Sequence, residues 1–170
     1  LPKDLRSLIY YSNRLGINVP MMKNIIPSNF EQINIGRIKI HKIGNKNIGI
    51  LGLSFKSGTD DMRESPMIDL IRDLWKDSYN IFVYDTNVRL NKIFGSNLQY
   101  LERQLPQIKK ILINDLRIIK QKATTIVIAH KEEIFLDFIM GLDTSYTIVD
   151  FVGIPENLKK RLIAKYVGLS

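Results

Sequence analysis

The sequence has 170 residues, of which 45% are hydrophobic, and it carries a formal net charge of +8. A chain of this length and apolar content can bury a full core, which excludes an intrinsically disordered protein. It has no cysteine and only two histidines, His41 and His130, which lie far apart; disulfides, thiolate metal sites and a cysteine nucleophile within these residues are therefore excluded.

Membrane and secretory classes are not expected either. No apolar run approaches the roughly 20 residues that cross a bilayer, and Lys3, Asp4 and Arg6 interrupt the start, where a signal peptide would be apolar. We therefore expect a cytoplasmic protein without a membrane partner. The basic excess is concentrated in residues 1–47, which either face phosphates or a partner or are solvated helix surfaces. No nucleic-acid motif accompanies it, so nucleic acid is not an expected partner.

The first predicted elements are helical. Residues 4–15 place Leu5, Leu8, Ile9 and Leu15 on one face at helical spacing, and Gly16 is a natural stop. A second helical stretch is predicted over residues 20–43. Pro27 should kink or restart it, because proline removes a backbone donor. A capping-box pattern over residues 28–31 favours a restart.

The second half of this stretch carries five isoleucines on more than one side: Ile33, Ile35, Ile38, Ile40 and Ile43. That is more apolar surface than a lone surface helix presents. We therefore expect burial against a partner subunit as well as against the chain's own domain, in a homodimer formed through residues 20–43. Gly44-Asn45 marks a boundary between a helical dimerisation arm, residues 1–44, and a main domain, residues 45–170.

After this boundary, short apolar strands alternate with helices. Strands are predicted at Asn47–Leu53, Asn80–Tyr84, Thr125–Ala129 and Thr147–Phe151, and helices at Pro66–Lys76, Leu98–Gln104, Ile113–Gln121, Glu132–Met140 and Pro155–Lys165. Apolar strands separated by helices indicate a parallel sheet buried on both faces, with right-handed crossovers. The predicted fold class is α/β, a Rossmann-like three-layer domain with a parallel sheet, preceded by the helical arm.

The polar loop after the first strand is the candidate site. It contains Lys56 and Arg63 and ends in Ser65-Pro66, a good N-cap followed by a favoured first helical residue. In open α/β sheets ligands bind at the carboxyl ends of strands, so both cations lie where phosphate is expected. The sequence lacks Gly-x-Gly-x-x-Gly and a P-loop, which argues against an ordinary dinucleotide-binding domain.

Structural explanations of the same residues stay open. Lys56 could be an ordinary exposed lysine, and Arg63 could pair with Asp60, Asp61 or Glu64 to stiffen the loop. The two adjacent aspartates are better suited to shaping this loop than to acid–base chemistry, because a carboxylate would repel a phosphate. Asp85, at the end of the second strand, is interpreted as a structural turn residue, since the glycine fingerprint is missing.

Three segments resemble one family. Gly-Leu-Ser-Phe-Lys-Ser-Gly-Thr-Asp-Asp-Met-Arg-Glu-Ser-Pro (residues 52–66), Leu-Pro-Lys-Asp (residues 1–4) and Asp-Phe-Val-Gly (residues 150–153) are similar to the C-terminal domain of nucleotide-sugar 6-dehydrogenases. The last segment is more similar to the GDP-mannose branch than to the sister UDP-glucose branch.

The resemblance implies an activity and roles for particular residues. The family oxidises the C6 alcohol of a nucleotide sugar to a carboxylate, using two NAD and a thiohemiacetal on a cysteine. Residues matching Phe55 and Lys56 contact the nucleotide sugar, and residues matching Lys3 and Arg63 contact NAD. The nucleophilic cysteine is expected just before Leu1, and the main NAD site in a separate N-terminal domain. By this resemblance the chain alone holds no catalytic residue, is inactive, and dimerises through its long helix.

Two other hypotheses belong to different classes. A non-catalytic nucleotide-binding or dimerisation module is compatible with the missing cysteine and glycine fingerprint. A receiver-like signalling domain is suggested by Asp60 and Asp61 after the first strand, but it needs an aspartate after the third strand, where the sequence has His130 and Lys131.

Overall fold

The computed structural model describes residues 2–89 and 95–169. Five strands form one parallel sheet in the order β2-β1-β3-β4-β5. Their bounds are β1 Asn47–Leu51, β2 Asn80–Tyr84, β3 Thr125–Ile128, β4 Thr147–Asp150 and β5 Lys165–Gly168. The predicted α/β class and parallel sheet are confirmed.

Helices cover both faces of this sheet. They are α1 Pro2–Arg14, α2 Pro20–Ile43, α3 Pro66–Lys76, α4 Gly95–Gln104, α5 Ile108–Ile111, α6 Leu116–Lys122, α7 Glu133–Met140 and α8 Glu156–Lys159. One core cluster joins the sheet to α2 and α3, and a second joins its other face to α6 and α7. Within residues 2–89 and 95–169, none of the helices combines the length and apolar composition that a bilayer span requires.

Helix α2 differs from its prediction. It continues through Pro27 without a restart, so the predicted restart is wrong. Proline costs one backbone hydrogen bond, and tertiary packing of the following turns offsets it: Ile40 is fully buried, and Gly36 lies against the Phe151 ring. The helix ends as predicted, with Gly44 in the left-handed conformation at φ 77°.

The isoleucines of α2 serve mainly the chain's own core. Ile40 is buried, Ile33 and Ile43 pack against the core, and Ile35 is half-buried, which leaves Ile38 as the exposed member. Most of the exposed large apolar side chains among the described residues lie on α1, the α1–α2 connection and the first half of α2. We call the surface that they form the arm surface; it comprises Leu8, Tyr10, Tyr11, Leu15, Ile17, Met21, Ile25 and Phe30.

Three further predictions need correction. The segment predicted as a helix over Pro155–Lys165 contains only the short α8, and it leads into β5, which pairs with β4 at the sheet edge. Helix α6 begins at Leu116 rather than Ile113, because Asp115 caps it and the Ile113 amide donates to the Val83 carbonyl. Strand β1 stops at Leu51, because the Leu53 amide donates to Asp85 instead of a neighbouring strand.

Candidate functional site

A cavity of about 640 Å³ opens between α2, the start of α3 and the carboxyl ends of β1, β3 and β4. Its walls combine apolar and polar side chains. Apolar groups come from Phe30, Phe55 and Phe151, and polar groups from His130 and Asp150. This is the edge of the sheet at which open α/β domains bind ligands, and the volume is that of an ordinary small-molecule site.

The loop after β1 is fixed by its backbone. Asp85 accepts from the amides of Leu53 and Ser54 at 2.7 and 3.0 Å. The Lys56 carbonyl accepts from the hydroxyls of Ser54 and Thr59 at 3.0 and 2.8 Å. His130 Nε2 lies 3.0 Å from the Ser54 carbonyl, and since a carbonyl can only accept, this nitrogen is the donor.

Phe55 and Lys56 project from this fixed backbone. Phe55 is 38% exposed and lines the cavity, whereas Lys56 is exposed and lies outside the lining. Within residues 2–89 and 95–169, the Lys56 ammonium has no hydrogen bond or ion pair. A cation held on an ordered loop without a partner of its own is available to an anionic or hydroxyl-rich ligand.

Arg63 and Lys3 both act on the carboxylate of Asp61. Arg63 binds Asp61 in a bidentate pair, with Nε–Oδ1 and Nη2–Oδ2 distances of 2.8 and 2.7 Å. This hydrogen bonding, more than any other influence, lowers the pKa of Asp61, and the charge of Lys3 lowers it further. In turn, the carboxylate of Asp61 raises the pKa of Arg63. Of the three partners that the sequence left open for Arg63, the structure selects Asp61.

Helix α1 is tied to the same loop. Arg6 forms an ion pair with Glu64, a residue in the left-handed conformation at φ 61°. Such a backbone conformation costs a non-glycine residue of order 1 kcal/mol, so surrounding contacts have to hold it. Ser65 then caps α3 as predicted: its Oγ accepts from the Met67 amide at 3.3 Å and donates to the Leu53 carbonyl at 2.7 Å. Leu1, before which the nucleophile is expected, lies outside the described residues.

Two buried aspartates accept hydrogen bonds from the backbone amides of the loops that follow the strands. Besides the amides of Leu53 and Ser54, Asp85 accepts from those of Asn87 and Val88. Asp150 accepts from three amides, those of residues 152–154, and from the hydroxyl of Tyr166 at 2.7 Å. The interpretation of Asp85 as a turn residue agrees with this geometry. Its carboxylate thus takes up the hydrogen bonds of the two amides that directly follow the end of β1 and Gly52.

Sequence reasoning missed Glu132 and the placement of His130. Glu132 follows β3, and its carboxylate accepts from Ser57 and Thr86, on the loops after β1 and β2. No local pattern signals this arrangement, because its three members are far apart in sequence. For His130, the missing signal is Gly52: a Cβ atom there would lie 2.7 Å from the imidazole Nδ1, so glycine makes room for the ring.

Comparisons with known proteins identify the relatives of this chain. Residues 49–154, more than half of it, match the UDP-glucose/GDP-mannose dehydrogenase family, UDP binding domain. GDP-mannose 6-dehydrogenase of Pseudomonas aeruginosa is 33% identical over 153 residues, which cover 90% of this chain and 35% of the relative. UDP-glucose 6-dehydrogenase of Rickettsia conorii is 28% identical over 165 residues, covering 92% and 36%.

Comparison with solved structures finds the same kind of protein. The crystal structure of a ternary complex of GDP-mannose dehydrogenase from Pseudomonas aeruginosa superposes with a TM-score of 0.84 at 30% identity, covering 99% of this chain and 38% of that one. The chain thus spans little more than a third of the length of these relatives and corresponds to their C-terminal portion. It belongs to the UDP-glucose/GDP-mannose dehydrogenase family.

Proposed function

We propose that this chain is the nucleotide-sugar-binding part of an NAD-dependent nucleotide-sugar 6-dehydrogenase, which oxidises a C6 alcohol to a carboxylate. The observation that carries the proposal is the pair Phe55 and Lys56, on an ordered loop at the edge of the 640 Å³ cavity. A nucleotide sugar offers a diphosphate, an aromatic base and several hydroxyls. Lys56 supplies a cation for the charged or hydroxyl groups, and Phe55 supplies apolar contact area.

The substrate we prefer is GDP-mannose, which the reaction converts to GDP-mannuronate. Two observations favour it over UDP-glucose. The segment Asp150–Gly153 resembles the GDP-mannose branch, and over about nine-tenths of the chain the identity is 33% to the Pseudomonas aeruginosa GDP-mannose 6-dehydrogenase against 28% to the Rickettsia conorii UDP-glucose 6-dehydrogenase. UDP-glucose is the second candidate, supported by the similarity to the Rickettsia conorii enzyme.

NAD is the proposed cofactor, bound mainly by a part of the enzyme outside this sequence; it would accept the hydride. Lys3 and Arg63 would contact its pyrophosphate. Arg63 fits this role without releasing Asp61, because the pair uses Nε and Nη2 and leaves three of its five N–H groups free to donate. The nucleophilic cysteine of the family would precede Leu1.

The proposed assembly is a homodimer formed through residues 20–43, with residues 1–44 as a dimerisation arm and residues 45–170 as the nucleotide-sugar domain. The exposed Met21, Ile25 and Phe30 of α2 support an interface there. A cytoplasmic location is proposed as well, because a cysteine-free sequence suits a reducing compartment.

Calorimetric titration of the chain with GDP-mannose, UDP-glucose, GDP and UDP tests the binding function. We expect GDP-mannose to bind and Lys56→Ala to weaken its binding by roughly tenfold to a hundredfold, since a charged hydrogen-bond donor is lost. Lys131→Ala, which removes an exposed lysine from the neighbouring loop after β3, is the control. Equal affinities of the two variants, or no binding of any of the four compounds, would contradict the proposal.

A further inference from the structure

Glu132 joins the loops that follow three adjacent strands. It lies between β3 and α7, and its side chain is 16% exposed. Oε1 accepts from the Ser57 hydroxyl at 3.0 Å, and Oε2 accepts from the Thr86 hydroxyl at 2.6 Å. The loops after β1, β2 and β3 are therefore linked through a single carboxylate.

Through Ser57, this link holds the loop directly after Phe55 and Lys56. Asp85 and His130 hold the loop at Ser54, before Phe55 and Lys56, whereas Glu132 holds it at Ser57, directly after them. The two residues proposed to contact the nucleotide sugar thus lie between two fixed points. Removing the second point would leave Lys56 held by its carbonyl, which accepts from Ser54 and Thr59, and would remove the anchor to the loops after β2 and β3.

The groups around the Glu132 carboxylate are two hydroxyls and one imidazole. The side chain of Glu132 is half-buried, and among the described residues His130 is the basic residue within 4 Å of its carboxylate, with Nδ1 3.6 Å from Oε1 and beyond hydrogen-bond distance. His130 Nε2 donates to the Ser54 carbonyl, so this ring is itself tied to the loop after β1. Among the described residues, the hydrogen bonds that the Glu132 carboxylate accepts therefore come from two hydroxyls on the neighbouring loops.

We infer that Glu132 is a positioning residue: through Ser57 it fixes Lys56 for the nucleotide sugar. This inference rests on the proposed function. Glu132 itself does not line the cavity, and its second oxygen accepts from Thr86, on the loop after β2. The role requires the two hydrogen bonds more than the charge, so glutamine should retain much of it, because its amide can accept from one hydroxyl and donate to the other.

The experiment compares Glu132→Ala and Glu132→Gln with Glu133→Ala, which removes a carboxylate from the next, exposed position. Calorimetry with GDP-mannose should give about tenfold weaker binding for Glu132→Ala and a loss within about threefold for Glu132→Gln. Amide hydrogen exchange of residues 54–59, measured without ligand, should accelerate in Glu132→Ala and stay unchanged in Glu133→Ala.

A double-mutant cycle with Lys56→Ala separates positioning from general stability. If Glu132 acts through Lys56, Glu132→Ala should have an effect within about twofold once Lys56 is absent. A full tenfold loss in the Lys56→Ala background, or equal exchange of residues 54–59 in Glu132→Ala and Glu133→Ala, would overturn the inference. No binding by the unsubstituted chain would instead overturn the proposed function, and the exchange measurement would still decide whether Glu132 holds the loop.

Discussion

The polar side chains at the strand ends are of two kinds: some make all their hydrogen bonds within the protein, and others do not. Asp85 and Asp150 are buried, and each accepts four hydrogen bonds from the protein, so neither has capacity left for a ligand. Lys56 is exposed, on a backbone held by its neighbours. Saturation by the protein's own groups thus distinguishes residues that build the site from residues that can serve a ligand.

The bidentate pair of Arg63 and Asp61 should make the stability of the fold depend on pH. Since Arg63 lowers the pKa of Asp61, the pair stabilises the fold above the unfolded carboxyl pKa of about 3.9, and this stability is lost as the pH falls through the lower folded value. Arg63→Ala should therefore raise the pKa of Asp61, measured by NMR titration of its carboxyl carbon. Arg117→Ala is the matched control, because Arg117 forms the same pair with Asp115 and should change the pKa of Asp115 alone. An unchanged pKa of Asp61 in Arg63→Ala would exclude the pair in solution.

The same variant tests the cofactor role of Arg63 in the complete enzyme. If its free N–H groups contact the NAD pyrophosphate, Arg63→Ala should raise KM for NAD by roughly tenfold and leave KM for the nucleotide sugar nearly unchanged. Lys56→Ala should show the opposite pattern in steady-state kinetics. If both residues only stiffen the loop, the two variants will share one kinetic defect.

Among the elements, those with local signals were predicted best. Helix α3 and strand β2 have the predicted bounds, because Ser65 and Pro66 mark one helix start and a short apolar run marks the strand. Strand β5 was missed, since its strand character depends on pairing with β4 rather than on its own pattern. The loop of the candidate site was located from its sequence. Glu132 was not, because a contact joining three loops has no sequence period.

The packing of α2 on β4 should be sensitive to one methyl group. A Cβ atom on Gly36 would lie 2.0 Å from the Phe151 ring. Alanine gains about 1 kcal/mol in helix propensity, but overpacking costs about 1–3 kcal/mol, and at this separation the ring has to move. We expect Gly36→Ala to lower Tm by about 2–4 °C or more in thermal unfolding.

The control for this substitution is Gly141→Ala, where a Cβ atom would meet its nearest neighbour at an ordinary 3.6 Å. Pairing Gly36→Ala with Phe151→Leu should recover part of the loss, because the smaller side chain leaves room. A Tm of Gly36→Ala at or above that of Gly141→Ala would show that α2 does not pack on Phe151 as described.

For the whole molecule, the arm surface bears on assembly. It holds eight exposed large apolar side chains, and exposed apolar surface of this kind is typical of an interface, so we expect sedimentation velocity to find dimers at micromolar concentrations. Met21→Glu, at a position 76% exposed, should shift the chain to monomers by burying a charge in the interface. Ile163→Glu, on the segment between α8 and β5 and 63% exposed, should leave the dimer intact. A monomeric unsubstituted chain would refute dimerisation by this surface.

The strand order also has a consequence for synthesis on the ribosome. Strand β1 lies between β2 and β3, and its register joins Ile48 to Ile81 on one side and to Thr125 on the other. Because every pair is parallel, no hairpin can form early, and each pairing waits for a complete crossover. At translation rates of roughly 5–20 residues per second, β1 is covered on only one edge for several seconds before β3 emerges. During that interval the nascent chain exposes an unpaired, apolar strand edge, which is the period in which a chaperone would matter most to this protein.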